Sequence, residues 1–265
     1  MNDRVRIHID QGIATVTLSR PDKHNALDEA MIDGLLAAAK SIGRDSSIRS
    51  VILRGEGPSF CSGLDFASAK RNPLFLAKIF VNAPLSRMNR VQRVSLAWRD
   101  LPVPVIAVVH GKCFGGGLQI ALGADFRLCT ADAEFSIMEI CYGLVPDMGG
   151  TVVFREQIRL DHLKELTMTG ERVGAERAQA VGLVTRIEDD PEAAALELAR
   201  KVARRSPDAI AMTKRLLNDI SHGSLRTLLR RERWAQMRLF GRPNQKTAAK
   251  SQSLDEVTYR PRRIG

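Results

Sequence analysis

Three consecutive glycines, Gly115–Gly117, follow an apolar segment from Val103 to Val109 and open into Leu118-Gln119-Ile120-Ala121. That order constrains the chain more than any other stretch. The apolar segment reads as a buried strand, and the residues after the glycines read as an amphipathic helix. Glycines at the joint let the backbone approach a neighbouring group closely, and a helix N-terminus presents free N–H groups with partial positive charge. The arrangement suits an anion. A second glycine run upstream, Ser59-Phe60-Cys61-Ser62-Gly63-Leu64-Asp65, is a turn when read alone and a partner when read beside the triplet.

The remaining pattern is mixed α/β. Residues 4–9 and 13–19 alternate apolar and polar around Asp10-Gln11-Gly12, as a β-hairpin does. Asp28 caps a helix to about Ile42, with Met31, Ile32, Leu35, Leu36 and Ala39 on one face. Val51-Ile52-Leu53 is a short buried strand. Residues 66–78 lack periodicity and read as a mobile insertion, and residues 79–100 read as a helix stopped by Leu101-Pro102-Val103-Pro104. Phe126-Arg127-Leu128 and Glu134–Ile137 are further strands. From residue 190 the pattern is helical (191–204, 207–221 and 223–239), with Ser206 and Pro207 as N-cap and first-turn proline. Two units are therefore expected: a core over 1–190 and a helical subdomain with a tail over 191–265.

Composition narrows the function classes. A 265-residue chain that is 44% hydrophobic and 26% charged buries a sizeable core. Its apolar runs are too short to span a bilayer, and Met1-Asn2-Asp3-Arg4 leads directly into a strand pattern without a signal peptide. Cys61, Cys113, Cys129 and Cys141 have no metal-site spacing, which favours free thiols in a reducing, cytoplasmic setting and no metal. The net charge of +10 attracts phosphorylated small molecules, nucleic acid or acidic partners. Much of it lies in Arg226 to Arg233 and Arg260 to Arg263. With aromatics at only 5%, these runs read as solvated surface before they read as an RNA site.

Four motifs in register carry a resemblance: Lys23-His24-Asn25-Ala26-Leu27; Phe60 to Asp65; Gly111 with Phe114-Gly115-Gly116-Gly117; and Phe135 to Thr151. Over residues 4–240 the chain resembles the crotonase superfamily, the enoyl-CoA hydratase/isomerase family. The resemblance implies a spiral of ββα units with a C-terminal helical subdomain, a homotrimer or homohexamer, and an acyl-CoA thioester substrate. It implies no cofactor, since coenzyme A is part of the substrate. It also implies that the N–H groups of Leu64 and Gly116 hold the thioester oxygen, with Gly63 beside them, and that Lys23, His24, Ala26 and Leu27 follow the CoA moiety.

The carboxylates decide the reaction. Hydratases of this family carry two glutamates, one three residues past the middle glycine and one after the next strand. Here those positions are Gln119 and Glu139, and a glutamine neither gives nor takes a proton at neutral pH. Asp147 occupies a position where dienoyl-CoA isomerases carry an aspartate; its structural reading is a carboxylate at a helix N-terminus. The expectation is an enoyl- or dienoyl-CoA double-bond isomerase with Glu139 and Asp147 as its acid–base pair. The alternatives are hydration with Asp147 replacing the missing glutamate and Gln119 orienting water, another crotonase-type acyl-CoA reaction, or a basic RNA-binding homologue. Asp65 and Asp125 read as structural hydrogen-bonders and His110 as packing at a strand end. His8, His162 and His222 have no partner identifiable from sequence. The C-terminal tail departs from the family's acidic-then-aromatic ending, leaving Lys246 and Lys250 as candidate phosphate contacts.

Overall fold

The computed structural model describes residues 3–71, 75, 88–220, 223–250 and 257–264, the side chains of 69 and 70 aside. Strands β1 (Val5–Asp10) and β2 (Ile13–Leu18) form the expected antiparallel hairpin, with Asp10 opposite Ile13. Gln11 and Gly12 both take positive φ, 48° and 76°, the twist that suits a two-residue hairpin turn. Helix α1 (Glu29–Arg44) starts at Asp28, whose Oδ1 accepts from Met31 N–H at 2.8 Å. Strand β3 (Ser50–Gly55) then runs parallel to β2.

After β3 the chain repeats one turn. It adds a strand to the main sheet, a short strand or bridge to a second sheet, and then a helix. Cys61 bridges to Cys113 after β3, ahead of α2 (Phe66–Arg71) and α3 (Arg90–Arg99). The next turn is β4 (Val105–Val109), β5 (Lys112–Phe114) and α4 (Gly116–Leu122). The following one is β6 (Phe126–Cys129), β7 (Glu134–Ser136), a 3₁₀ turn at Glu139–Tyr142, α5 (Gly150–Arg155) and α6 (Leu160–Thr169). β8 (Val173–Gly174), α7 (Ala175–Ala180) and β9 (Arg186–Ile187) complete the spiral. The sheets run β1-β2-β3-β4-β6-β9 and β5-β7-β8. This is the expected crotonase-like α/β spiral of ββα units.

Both faces of the parallel sheet are covered, as such sheets require. Val51 and Leu53 point into the main core with α1, α3 and α4, while Ile52, Ile106, Val108 and Leu128 form a second cluster on the opposite face. Ala195 and Ala199 of α8 (Pro191–Ala203) close that second cluster, so the boundary expected at 190 falls just before a helix that shares a core with the sheet. Helices α9 (Pro207–Asn218), α10 (Leu225–Leu239) and α11 (Pro243–Lys250) follow. Buried Lys214 of α9 donates to Trp98 O, Val103 O and Asp125 Oδ2, which gives Asp125 the structural part expected of it.

Three sequence expectations change. Helix α4 is not amphipathic: all seven of its residues are buried, because it runs between α3, α5 and β5 with no solvent face. The stretch at 66–78 begins as a helix, because Asp65 caps it by accepting from Ser68 N–H and Oγ at 2.9 and 2.7 Å. The helix expected over 79–100 is described from Arg90, where Asn89 and Gln92 form a reciprocal capping box. Residues 72–74, 76–87 and His222 lie outside the described residues.

Candidate active site

Backbone pairing holds the first glycine run in place. Leu27 N–H donates to Gly63 O at 2.8 Å, Asp65 N–H to Leu27 O at 3.0 Å, and Ser62 N–H to His24 O at 2.9 Å. Fully buried Asn25 braces the loop beneath: Oδ1 accepts from Arg20 N–H, and Nδ2 donates to Glu56 O and Ser59 O. Gly63 stands at φ 92°, a conformation L side chains rarely adopt. A Cβ there would lie 2.9 Å from Phe114 O and 3.5 Å from Gly116 N, so the two glycine runs meet at this point. Among the described residues the N–H groups of Leu64 and Gly116 have no hydrogen-bond partner. Two unpaired donors therefore stand side by side, one at a helix N-terminus.

A cavity of about 240 Å³ opens beside these donors. Leu64, Phe66, Val91, Met138, Tyr142, Leu144, Val145 and Met148 supply apolar walls, and Glu139 and Asp147 are the acidic residues that line it. Phe66 and Tyr142 stack at 4.5 Å between ring centroids. An apolar chamber containing few polar groups is the usual form of a small-molecule site.

Glu139 begins the 3₁₀ turn after β7, and a Cβ on Gly115 would sit 3.3 Å from its Oε1. Desolvation raises its pKa above the ordinary carboxylate value. The backbone N–H of Glu139 and the Gln119 amide oppose that rise, and the nearby charge of Asp147 adds to it. Desolvation also raises Asp147. Two carboxyls with raised affinity for protons, facing one apolar cavity, are suited to accept and return a proton.

Gln119, the residue expected to contact substrate and, in the hydration alternative, to orient water, is fully buried and is not among the residues that line the cavity. Its Nε2 donates to Glu139 Oε1 at 2.7 Å, and its Oε1 accepts from Met148 N–H at 3.0 Å. Both ends of the amide are engaged by protein.

The Lys23–Leu27 stretch lies alongside this site and outside the cavity lining. Lys23 is exposed, and its carbonyl accepts from Ser62 Oγ. His24 takes φ 48° and meets Ser59 Oγ through Nδ1 at 2.9 Å. The Ala26 carbonyl accepts from Arg20, and Leu27 is fully buried against the position of Gly116. His110 Nε2 lies 2.8 Å from Gly57 O, at the strand end as expected. The aromatic pair and both methionines of the wall escaped sequence reading. Phe66 follows directly on Leu64-Asp65, the one local signal that would have found it.

The family model described as Enoyl-CoA hydratase/isomerase matches residues 8–257. The chain is 30% identical over 251 residues to 1,2-epoxyphenylacetyl-CoA isomerase of Escherichia coli (strain K12), covering 91% of this chain and 92% of that protein. It is 33% identical to the mitochondrial Delta(3,5)-Delta(2,4)-dienoyl-CoA isomerase of Dictyostelium discoideum, over 78% of this chain and 73% of that one. Among solved structures, an enoyl-CoA hydratase from Polaromonas sp. JS666 superposes with a TM-score of 0.85 at 29% identity, covering 97% of this chain and 99% of that chain.

Proposed function

Because this chain belongs to the enoyl-CoA hydratase/isomerase family, we propose that it is a crotonase-type enzyme that moves a double bond along an enoyl- or dienoyl-CoA thioester. Leu64 and Gly116 N–H hold the thioester oxygen, and charge developing there is stabilised by donors already in place. Glu139 takes a proton from C2 and the electron pair delocalises as a dienolate. When the electrons return, a proton adds at C4 of a 3-enoyl chain, or at C6 of a 3,5-dienoyl chain. Glu139 or Asp147 supplies it. The proton removed balances the proton returned, so the chemistry requires no metal or redox cofactor. Coenzyme A enters as part of the substrate, with Lys23, His24, Ala26 and Leu27 alongside it.

The observation that carries this reading is the engagement of Gln119. Hydration would ask that side chain to orient a water, but its amide is used by Glu139 and Met148, away from the cavity lining. Glu139 and Asp147 are the acid–base groups that line the chamber. Assembly into a homotrimer or homohexamer is supported by the apolar side chains α10 leaves exposed, among them Leu225, Leu229 and Met237. Action in a reducing compartment such as the cytoplasm is supported by four free cysteines. Among the described residues no helix is long and apolar enough to cross a membrane.

The test presents 2-enoyl-, 3-enoyl- and 3,5-dienoyl-CoA separately and follows the ultraviolet band of the conjugated thioester. Isomerisation makes the band appear from the 3-enoyl substrate or shift with the dienoyl one. Loss of the band from the 2-enoyl substrate alone would make the enzyme a hydratase.

A further inference from the structure

We propose that Gln119 is a positioning residue whose buried amide ties Glu139 to the segment carrying Asp147 and Met148, and so sets where the base stands relative to the Gly116 donor on the helix of Gln119. The inference rests on Glu139 acting as the base.

The hydrogen-bond directions are forced. Met148 N–H can only donate, so the Gln119 oxygen must face it and the nitrogen must face Glu139. Glu139 Oε1 is thereby held as an acceptor at 2.7 Å. Glu139 Oε2 is buried and has no partner among the described residues, so Gln119 is the described side chain that anchors this carboxyl.

The anchor reaches the rest of the site. Gln119 lies on α4 three residues after Gly116, which brings base and oxyanion donor under one short helix. A Cβ on Gly116 would come within 2.4 Å of Met148 Sδ, so Met148, held through its N–H, also packs over the donor. A Cβ on Gly150 would lie 2.7 Å from Gln119 Oε1, and it is glycine that lets the 147–150 segment approach the amide. Removing one amide would thus loosen the base, the cover over Gly116 and the Asp147 segment together.

The experiment replaces Gln119 with Met, which keeps length and removes both hydrogen bonds. A carbon-13 NMR titration follows the Glu139 carboxyl without substrate, its signal assigned by its loss in Glu139→Gln. With the amide gone, the carboxylate loses a donor that favours its charged form, while Asp147 continues to repel it, so its midpoint rises. Under saturating substrate kcat falls about 10- to 100-fold while KM stays within about twofold, as expected when a charged group loses a hydrogen bond and its alignment. Gln119→Glu keeps the acceptor for Met148 N–H and puts a second carboxyl against Glu139. It should raise the midpoint as well, and it decides the matter if the Met variant does not fold.

An unmoved Glu139 midpoint in a folded variant overturns the proposal. So does a raised KM with unchanged kcat, which would make Gln119 a substrate ligand. The titration contains no substrate, so it holds or fails independently of which reaction the substrate panel reveals.

Discussion

The two sides of the cavity are built differently. The donor side, residues 61–65 and 113–117, is backbone held by backbone: Cys61 N–H donates to Lys112 O, Phe114 N–H to Cys61 O, and Gly115 N–H to Ser136 O. The carboxylate side, residues 138–148, is a 3₁₀ turn and a loop with Ile140, Tyr142, Leu144 and Val145 exposed. Every crotonase-type reaction that passes through a thioester enolate needs the donors in one place, and dense backbone pairing provides that. Which proton moves where depends on side chains, and these stand on the part of the wall with fewer constraints. On the proposed mechanism, the frame sets the intermediate and the rim sets the reaction.

The sharpest way to break that division is Glu139→Gln. The rim then loses its base while the frame is untouched, so kcat should fall by about two to four decades, the usual worth of a general base, with acyl-CoA affinity retained. In the wild type the base works only when ionised. Its raised pKa therefore places the acidic limb of the kcat/KM profile above the ordinary glutamate range, with rate lost as pH falls through it. Steady-state kinetics from pH 4 to 9 checks both statements. A Glu139→Gln variant at near-wild-type rate would move the chemistry elsewhere.

The reciprocal experiment attacks the frame. Gly63→Ala forces a side chain into φ 92° and pushes a methyl to 2.9 Å from Phe114 O, beside Gly116 N. Displacing one oxyanion donor costs about 10²–10³ in kcat. Like the rim variant, this one should also lose exchange of the C2 proton with solvent, here because the enolate loses a donor rather than because the base is gone. A rate within about threefold of wild type would mean that the oxygen binds somewhere other than between these donors.

This contrast also explains what could be read from sequence. Gly63 and Gly115–Gly117 were legible because a positive φ or a close backbone approach admits little but glycine. Strands β1 to β4, β6 and β7 were legible because each alternates or stays apolar over its own few residues, whereas β5, β8 and β9, two or three residues each, carry no such pattern. Glu139 and Asp147 were legible through the resemblance, by position along the chain. The partner of Gln119 is not legible in the sequence, because Met148 N–H is a backbone group brought up by the Gly149-Gly150 approach and no side-chain pattern announces it. Helix α2 was missed for a similar reason. At six residues it is too short for periodicity, and it depends on Asp65, which is held in turn by Arg20.

Asp65 offers a smaller test, aimed at the frame's stability. Burial alone would raise its pKa, but Ser68 N–H, Ser68 Oγ and the Arg20 guanidinium at 2.8 Å outweigh that and bring it down to about 2. A depressed carboxyl stabilises the fold above its unfolded value near 4, and that contribution is lost as pH falls through about 2. Asp65→Asn should therefore cost about 1–3 kcal/mol at neutral pH and flatten the dependence of stability on pH between about 4 and 2. Urea unfolding at several pH values reads both. Equal acid sensitivity in the two proteins would remove Asp65 from the account.

The smallest effect belongs to the outer rim. Tyr142 is 55% exposed and stacks on Phe66 across the cavity wall, the one aromatic ring pair among the described residues. Such pairs contribute about 0.5–1.5 kcal/mol beyond their area, and an exposed one stands at the low end. Tyr142→Ala should raise KM about two- to threefold for long acyl chains that reach the ring pair, with kcat nearly unchanged and short chains hardly affected. KM measured against chain length separates this from a general loosening of the turn, which would disturb Glu139 and lower kcat at every length. If kcat falls uniformly, the rim and the base are one mechanical unit, and the looseness attributed to residues 138–148 would stop short of Tyr142.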